Sequence, residues 1–325
     1  MIKVSVIIPY YNAASVIERC AQSLFNQSLA EDIEFIFVDD CSKDNSTARL
    51  KSVLEKYLNR KNQVKFLSSP TNQGVAAARL HGFNAANGKY IIHCDADDYV
   101  YPSTYSTMLS YANRTDADIA ICDYLYDNKG NTCYHSAKAE TAEELVEGLL
   151  NGKIHGSLCN KLVKRNLYTS IPNPFTPGLN ILEDVALTTR LASKAKKVTH
   201  IPQPLYVYIC DSASLTGTFS NDKIEQMLKN SRVVIEYFEK VNPEINLDNF
   251  KRRIRSMTLY YCDSSSRKIY RKLYPEVSFQ KSAPLHDFSL YQKAITRCIE
   301  LSLYPLADFL ITLRSALHSL KPVQQ

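Results

Sequence analysis

The sequence predicts an α/β unit, a mostly parallel central sheet flanked by helices, over residues 1–221, followed by a mainly helical C-terminal region over 222–325. Three observations lead there. Over the first 125 residues or so, short β-branched runs alternate with segments of helical periodicity, the pattern of parallel strands joined by crossover helices. Two of those runs end directly in acidic clusters, Asp39-Asp40 and Asp95-Ala96-Asp97-Asp98. Beyond Asp222 helical spacing dominates, and basic clusters appear: Lys251-Arg252-Arg253 with Arg255, Arg267-Lys268 and Arg271-Lys272.

In chain order, Val4 to Ile8 is the first strand, stopped by Pro9. Ser15 to Glu18 reads as a capping box, opening a helix whose Ile17, Cys20, Ala21 and Leu24 form one apolar stripe. Glu34 to Val38 is the second strand. Leu50, Val53, Leu54, Tyr57 and Leu58 keep the spacing of a second amphipathic helix, and Val64 to Leu67 is a third strand. Gly74 to Asn87, rich in small residues, is expected to pack closely on the sheet and to end at a left-handed Gly88. Lys89 to Cys94 and Ile119 to Cys122 are strands four and five. Thr141-Ala-Glu-Glu144 caps a helix with Leu145, Val146, Leu149 and Leu150 inward.

From Ser170 to Leu182, three prolines and a glycine exclude regular structure and predict a shaped loop beside a site. A helix from about Glu183 to Ala195 and a strand near Leu205 to Ile209 complete the unit. Near the end, Ile295, Ile299, Leu303, Leu306, Leu310, Leu313 and Leu317 recur at helical spacing beside Lys293, Arg297 and Arg314. Such a face suits packing on the core or on a second copy, as in a homodimer, ahead of peripheral contact with a membrane surface.

Composition narrows the function classes. A chain of 325 residues, 45% apolar and 22% charged, is an ordinary folded protein. Its net charge of +6 lies entirely in residues 222–325, where 17 basic residues meet 11 acidic ones; the first 221 residues balance at 22 against 22. A nucleic-acid enzyme would line its groove with excess cations, so no nucleic-acid partner is expected. Nine cysteines, odd in number and without a CxxC pair, suggest neither a zinc knuckle nor a disulfide framework, and fit reduced thiols in a cytoplasmic protein. The run VSVII is too short for a signal peptide, and no stretch reaches the roughly 18 to 20 apolar residues of a spanning helix. A cytoplasmic chain, at most peripheral on the inner face of the cell membrane, is expected.

The chemistry is expected at the acids. In an open α/β sheet ligands sit outside the carboxyl ends of the strands, where both acidic clusters fall. In an extended segment Asp95 and Asp97 point the same way, with Ala96 leaving room between them. Converging carboxylates repel unless a cation neutralises them, and hard oxygen donors suit Mg²⁺ or Mn²⁺ shared with a diphosphate. Taken alone, the tetrapeptide also suits a solvated acidic turn. The nine glycines form neither GxGxxG nor GxxxxGK, so no backbone cradle for phosphates competes with a metal.

Val4-Ser-Val-Ile-Ile-Pro-Tyr-Tyr-Asn12, Val38-Asp-Asp-Cys-Ser-Lys-Asp-Asn-Ser46, Asn72-Gln-Gly-Val-Ala-Ala-Ala-Arg79, Gly88-Lys-Tyr-Ile-Ile-His-Cys-Asp-Ala-Asp-Asp98 and Leu182-Glu-Asp184 resemble, in order and over roughly the first 215 residues, the motifs of family 2 glycosyltransferases of the Rossmann-like GT-A fold. The resemblance implies a nucleotide-sugar donor, a UDP-sugar first of all, with Mn²⁺ or Mg²⁺ as cofactor. It also implies transfer with inversion to a hydroxyl of a glycan or lipid-linked glycan, as in bacterial surface polysaccharide synthesis. Carried over by position, Pro9, Tyr11 and Asn12 border the nucleotide, and Asp40 with Asp39 binds the base edge. Asp95 and Asp97, flanking Ala96, hold metal and donor ribose, with Asp98 a further metal ligand. Asp184 is the general base, and Glu183, Asn160 and Lys161 mark the acceptor region. Arg79 suits donor phosphates or, as readily, a salt bridge.

Simpler readings stand beside these: an Asx-type turn at Asp39 and Asp40, and an acidic first helical turn at Glu183 and Asp184. The chain departs from the family in two places. Cys159 precedes Asn160 where relatives often carry an aromatic residue, commonly Trp, and this chain has no Trp, so a stacking platform must come from Tyr or Phe. The stretch Tyr206-Val-Tyr-Ile-Cys-Asp211 lacks the basic residue many relatives place there. His93 and His155 read as packing residues. Two rivals remain: a sugar nucleotidyltransferase and a non-catalytic nucleotide-sugar-binding module.

Overall fold

The computed structural model describes residues 2–210, 220–277 and 288–319. Asp211 and the side chains of Arg314 and Leu317 lie outside that set. The chain divides into two compact units, Met1–Leu149 with Ile154–Gly217, and Leu150–Lys153 with Thr218–Gln325.

The first unit is α/β, as predicted. Its strands are β1 (Val4–Tyr10), β2 (Ile33–Asp39), β3 (Val64–Ser68), β4 (Tyr90–His93), β5 (Tyr99–Val100), β6 (Ile119–Asn128), β7 (Asn131–His135), β8 (Lys161–Lys164) and β9 (Val198–Ile209). They form one sheet in the order β3-β2-β1-β4-β8-β6-β9-β5, with β7 paired to β6. Strands β3, β2, β1 and β4 run parallel, β8 is antiparallel to both its neighbours, and β6 and β9 are parallel again. Helices α1 (Ile17–Phe25), α2 (Ser46–Leu54), α3 (Val75–Ala85), α4 (Thr104–Thr115), α5 (Ala142–Asn151), α6 (Arg165–Thr169) and α7 (Glu183–Lys194) complete it. All seven residues of β1 are buried without alternation, as a parallel strand covered on both faces requires. The loop predicted between Ser170 and Leu182 holds neither helix nor strand. The Thr141 cap is present, its hydroxyl accepting the Glu144 amide.

Several local expectations are corrected. No capping box opens α1: Val16 is its N-cap without a side-chain bond. The preceding turn is instead pinned from outside, the amides of Ala13 and Ala14 donating to Ser46 Oγ and Asp44 Oδ2. Helix α2 stops at Leu54; a 3₁₀ turn follows, and Leu58, assigned to the apolar face, is exposed. Gly88 is not a left-handed terminator, since α3 ends in extended Ala86. Glycine is needed there for close approach: a Cβ would stand 2.5 Å from the Ser5 amide nitrogen. Helices α4 and α6 and strands β5, β7 and β8 were not foreseen.

The second unit contains α8 (Asn221–Val241), α9 (Asp248–Tyr261), α10 (Arg267–Tyr270), α11 (Leu290–Glu300) and α12 (Tyr304–Ser319). The apolar stripe that begins at Ile295 is therefore two helices and not one. The chain turns at Ser302, with φ of 62°, and Pro305 sits in the first turn of α12, where a missing N–H costs nothing. Ile295, Ile299, Ala307 and Leu259 share a small core, while Leu303, Leu306, Phe309 and Leu313 are exposed. Part of the basic excess is internal: buried Arg255 donates to the carbonyls of Arg271 and Leu273 and pairs with Glu300. Among the described residues no helix is long and apolar enough to cross a membrane.

Candidate functional site

The site residues gather in the first unit, at the carboxyl ends of β1, β2 and β4 and at the start of α7. After β1, Tyr11 is exposed and Asn12 adopts a left-handed φ of 48°. Asn12 Oδ1 accepts the Lys43 amide at 2.8 Å and its own amide donates to Ser42 Oγ at 3.0 Å, fastening the β1 loop to the β2 loop. Pro9 is buried in register with Val38. Asp39 closes the turn that follows it, Oδ1 accepting Ser42 N at 2.8 Å and Oδ2 the Thr47 hydroxyl at 3.0 Å. Asp40 is buried and accepts the amides of Gln73, at 3.0 Å, and Gly74, at 2.7 Å. Asp40 thus braces the start of α3, and Tyr11, Asn12 and Asp39 form the open edge of this corner.

Residues 95–98 are not extended: Asp98 N donates to Asp95 O, closing a turn, so strand alternation does not align Asp95 with Asp97. Ala96, within that turn, is buried. Asp98 is buried too, and its two oxygens accept the Tyr206 hydroxyl and the Ile209 amide of β9. Burial, then the charges of Asp95 and Asp97, pushes its carboxyl up to about 8. Expected as a direct metal ligand, Asp98 instead ties the turn to β9. Asp97 is half-buried, its carbonyl receiving Arg19.

Arg79 does not face an open phosphate site. Its guanidinium is buried between Asp95 Oδ1, at 2.9 Å, and Glu183 Oε1. Burial alone would lower it, yet the charges of Asp95 and Glu183 outweigh burial and raise it well above its ordinary value. One side chain on α3 thus joins the acidic turn after β4 to the first turn of α7. Glu183 is itself buried, which pushes its carboxyl up to about 8 against the pull of Arg79. Consecutive helical residues are about 100° apart, so inward Glu183 leaves Asp184 facing elsewhere; Asp184 is half-buried and accepts the Val185 amide at 2.7 Å.

Asn160 and Lys161, expected to meet the acceptor, are both buried. Asn160 Nδ2 donates to Cys122 O at 2.8 Å. The Lys161 ammonium donates to His155 O, Ser157 O and Asn160 Oδ1 at 2.8, 2.7 and 2.8 Å, so the pair shapes the 155–161 loop from within. Burial brings Lys161 down to about 8, with Asp184 the largest charge opposing that fall. His93 packs against Tyr168 and Phe175 with neither ring nitrogen bonded, and burial followed by the Arg79 charge holds it well below its ordinary value, a neutral packing ring.

Sequence reasoning missed an aromatic ladder. Tyr124 and Tyr126 on β6 stand in register with Tyr206 and Tyr208 on β9, and Tyr124 pairs with His135 on β7. The signal was present in the two Tyr-x-Tyr repeats, whose period of two puts both rings on one sheet face.

The sequence profile described as "Glycosyl transferase family 2" matches residues 5–173. Among curated proteins, the putative glycosyltransferase EpsH of Bacillus subtilis (strain 168) is 26% identical over 287 residues, covering 83% of this chain and 80% of that one. The poly(ribitol-phosphate) beta-glucosyltransferase of Bacillus spizizenii is 30% identical over 209 residues, 64% of this chain and 32% of that one. Among solved structures, S. aureus TarS 1-349 in complex with UDP-GlcNAc superposes with a TM-score of 0.68 at 17% identity, covering 97% of this chain and 92% of that one.

Proposed function

The chain belongs to glycosyl transferase family 2, is a glycosyltransferase of the GT-A fold, and on that footing we propose that it moves a sugar, with inversion, from a UDP-sugar to a hydroxyl of a bacterial surface polysaccharide or its lipid-linked precursor. Membership of a glycosyltransferase family sets aside the nucleotidyltransferase and the non-catalytic module. UDP-GlcNAc in the TarS structure and the poly(ribitol-phosphate) acceptor named for the B. spizizenii relative support the donor and acceptor classes.

The observation that carries the reading is the Arg79 bridge, because it joins the acids that would face the diphosphate to the helix turn that presents Asp184. Tyr11, Asn12 and Asp39 border the nucleotide in this reading, while Asp40 acts by holding the 73–74 turn against them. The donor set fits a divalent cation. Among the described residues no three acidic, His or Cys side chains converge as a preformed cage, and Mg²⁺ or Mn²⁺ needs only one or two carboxylates when donor phosphates complete its sphere. Asp97 and the second oxygen of Asp95 would hold the ion, Asp98 being engaged with β9. Such an ion neutralises charge on a departing diphosphate. Asp184 takes the proton of the acceptor hydroxyl as that oxygen attacks the anomeric carbon, a task worth roughly 10² to 10⁴ in rate. Inversion follows from a single displacement and needs no enzyme nucleophile.

The test is a screen of nucleotide sugars for hydrolysis and thermal stabilisation with Mn²⁺, with Mg²⁺ and with EDTA. Stabilisation by a UDP-sugar that EDTA removes is expected. Stabilisation by no nucleotide sugar under any condition would overturn the donor assignment.

A further inference from the structure

The aromatic ladder lies on the far side of the acidic turn from the nucleotide corner. In the sheet order, β2 and β1 carry Tyr11, Asn12 and Asp39, β4 carries the acidic turn, and β6 and β9 come beyond β8. Tyr206 is buried and spends its hydroxyl on Asp98 and the Asp95 amide. Two residues on, Tyr208 faces Tyr126 at 5.3 Å between ring centroids and 66° between planes. His155 joins both, 6.0 Å from Tyr208 at 67° and 6.5 Å from Tyr126 at 89°. His135 stands against Tyr126 at 4.8 Å and 88°. The Lys161 ammonium fixes the His155 carbonyl, and the Ser157 amide donates to His155 Nδ1 at 3.2 Å, so this ring is held and not swung by chance.

Tyr126, Tyr208, His135 and His155 are all half-buried, so their rings are ordered yet partly open. They also share space with the reaction centre. Ile209, next to Tyr208, donates its amide to Asp98 at 2.8 Å, and Thr188 on α7 donates its hydroxyl to the carbonyl of Gly156, next to His155, at 3.1 Å. A ligand held here meets aromatic rings and, nearby, the first turns of α7, the helix that presents Asp184. A molecule with an apolar C–H face and a hydroxyl at its edge satisfies both, which is the chemistry of a pyranose.

We propose that Tyr126 and Tyr208, framed by His135 and His155, form the platform that binds the terminal pyranose of the acceptor and orients its hydroxyl to Asp184. The assignment rests on the glycosyltransferase reading above and supplies aromatic faces in a chain without Trp. Tyr206 serves as a positioning residue for the acidic turn and not as part of the platform.

Saturation-transfer NMR on the full chain, with UDP and Mn²⁺ present, tests it using methyl β-glucopyranoside, methyl β-galactopyranoside and the methyl β-glycoside of N-acetylglucosamine, with open-chain mannitol as control. Expected is transfer to the ring C–H protons of at least one pyranoside and not to mannitol. Tyr126→Leu and Tyr208→Leu should each weaken that binding roughly tenfold or more, with UDP affinity within about twofold of wild type, while Tyr126→Phe keeps it, since the ring and not the hydroxyl supplies the contact. If UDP binds but no pyranoside contacts the wild type, or both leucine variants bind it undiminished, the platform is refuted and the donor reading stands. If UDP itself does not bind, the donor reading fails and the platform falls with it. The wild-type and Tyr126→Phe measurements keep the test decisive where a leucine variant fails to fold.

Discussion

Replacing Arg79 with methionine keeps the length and apolar stem of the side chain and deletes the charge that two carboxylates share. Its side chain is 6% exposed, Glu183 10% and Asp95 24%, so the two acids left behind have little water to turn to. Breaking a buried pair by removing one partner costs about 3–5 kcal/mol. Glu183 has an escape: burial already pushes it up, and losing the Arg79 charge removes what holds it down, so the carboxyl left behind is protonated at neutral pH, which holds the cost near the lower end. Urea unfolding at pH 7 followed by far-UV circular dichroism, suited to a chain without Trp, should therefore show Arg79→Met destabilised by about 3 kcal/mol. The double variant Arg79→Met/Glu183→Gln should recover about 1 kcal/mol or more relative to the sum of the singles, because the two residues are in contact. A loss below about 1 kcal/mol, or strict additivity, would refute the bridge as the tie between the acidic turn and α7.

Two further outcomes follow from the geometry. Burial depresses Lys161 to about 8, while the unfolded chain holds that proton to about 10.4; between those values the unfolded state binds more protons, so wild-type stability should rise with pH relative to Lys161→Met, by up to about 3 kcal/mol from pH 7.5 to 10.5. A pH-independent difference in urea midpoints would contradict it. Gly88→Ala would set a Cβ 2.5 Å from the Ser5 amide nitrogen of β1, backbone that cannot step aside, and should lower stability by about 1–3 kcal/mol in a thermal melt; an unchanged midpoint would mean that the strand yields.

Strands β1 to β4 and their crossover helices are legible in the sequence because their signals are local: a run of β-branched residues, a 3.6 period, an acid at the strand end. Helix α4 is not, since TYSTMLSYANRT carries many hydroxyls and its inward face of Tyr105, Met108, Leu109 and Ala112 emerges only once the sheet is there to cover it. The first half of β9 is hidden by Pro202 and Pro204, tolerated where the pairing with β6 shifts register between Cys122 and Tyr124. At the site the acids are visible by type and place, but their partners are not. Arg79 reaches Glu183 across 104 residues, and Asp98 reaches Tyr206 across 108. Whether a charged group faces a ligand or braces a loop depends on such distant contacts, which is why Asn160 and Lys161 turned inward against expectation, and why Arg79 took the salt bridge of its two expected roles.

The proton-removing role of Asp184 is the claim on which the proposed chemistry turns, and Asp184→Asn addresses it while leaving size and helix position intact. With the nucleotide sugar and acceptor identified by the screens above, transfer and donor affinity are measured side by side. Transfer should fall by at least about 10²-fold, with the donor Kd within about twofold of wild type; transfer retained near the wild-type rate would contradict the assignment of Asp184 as the base.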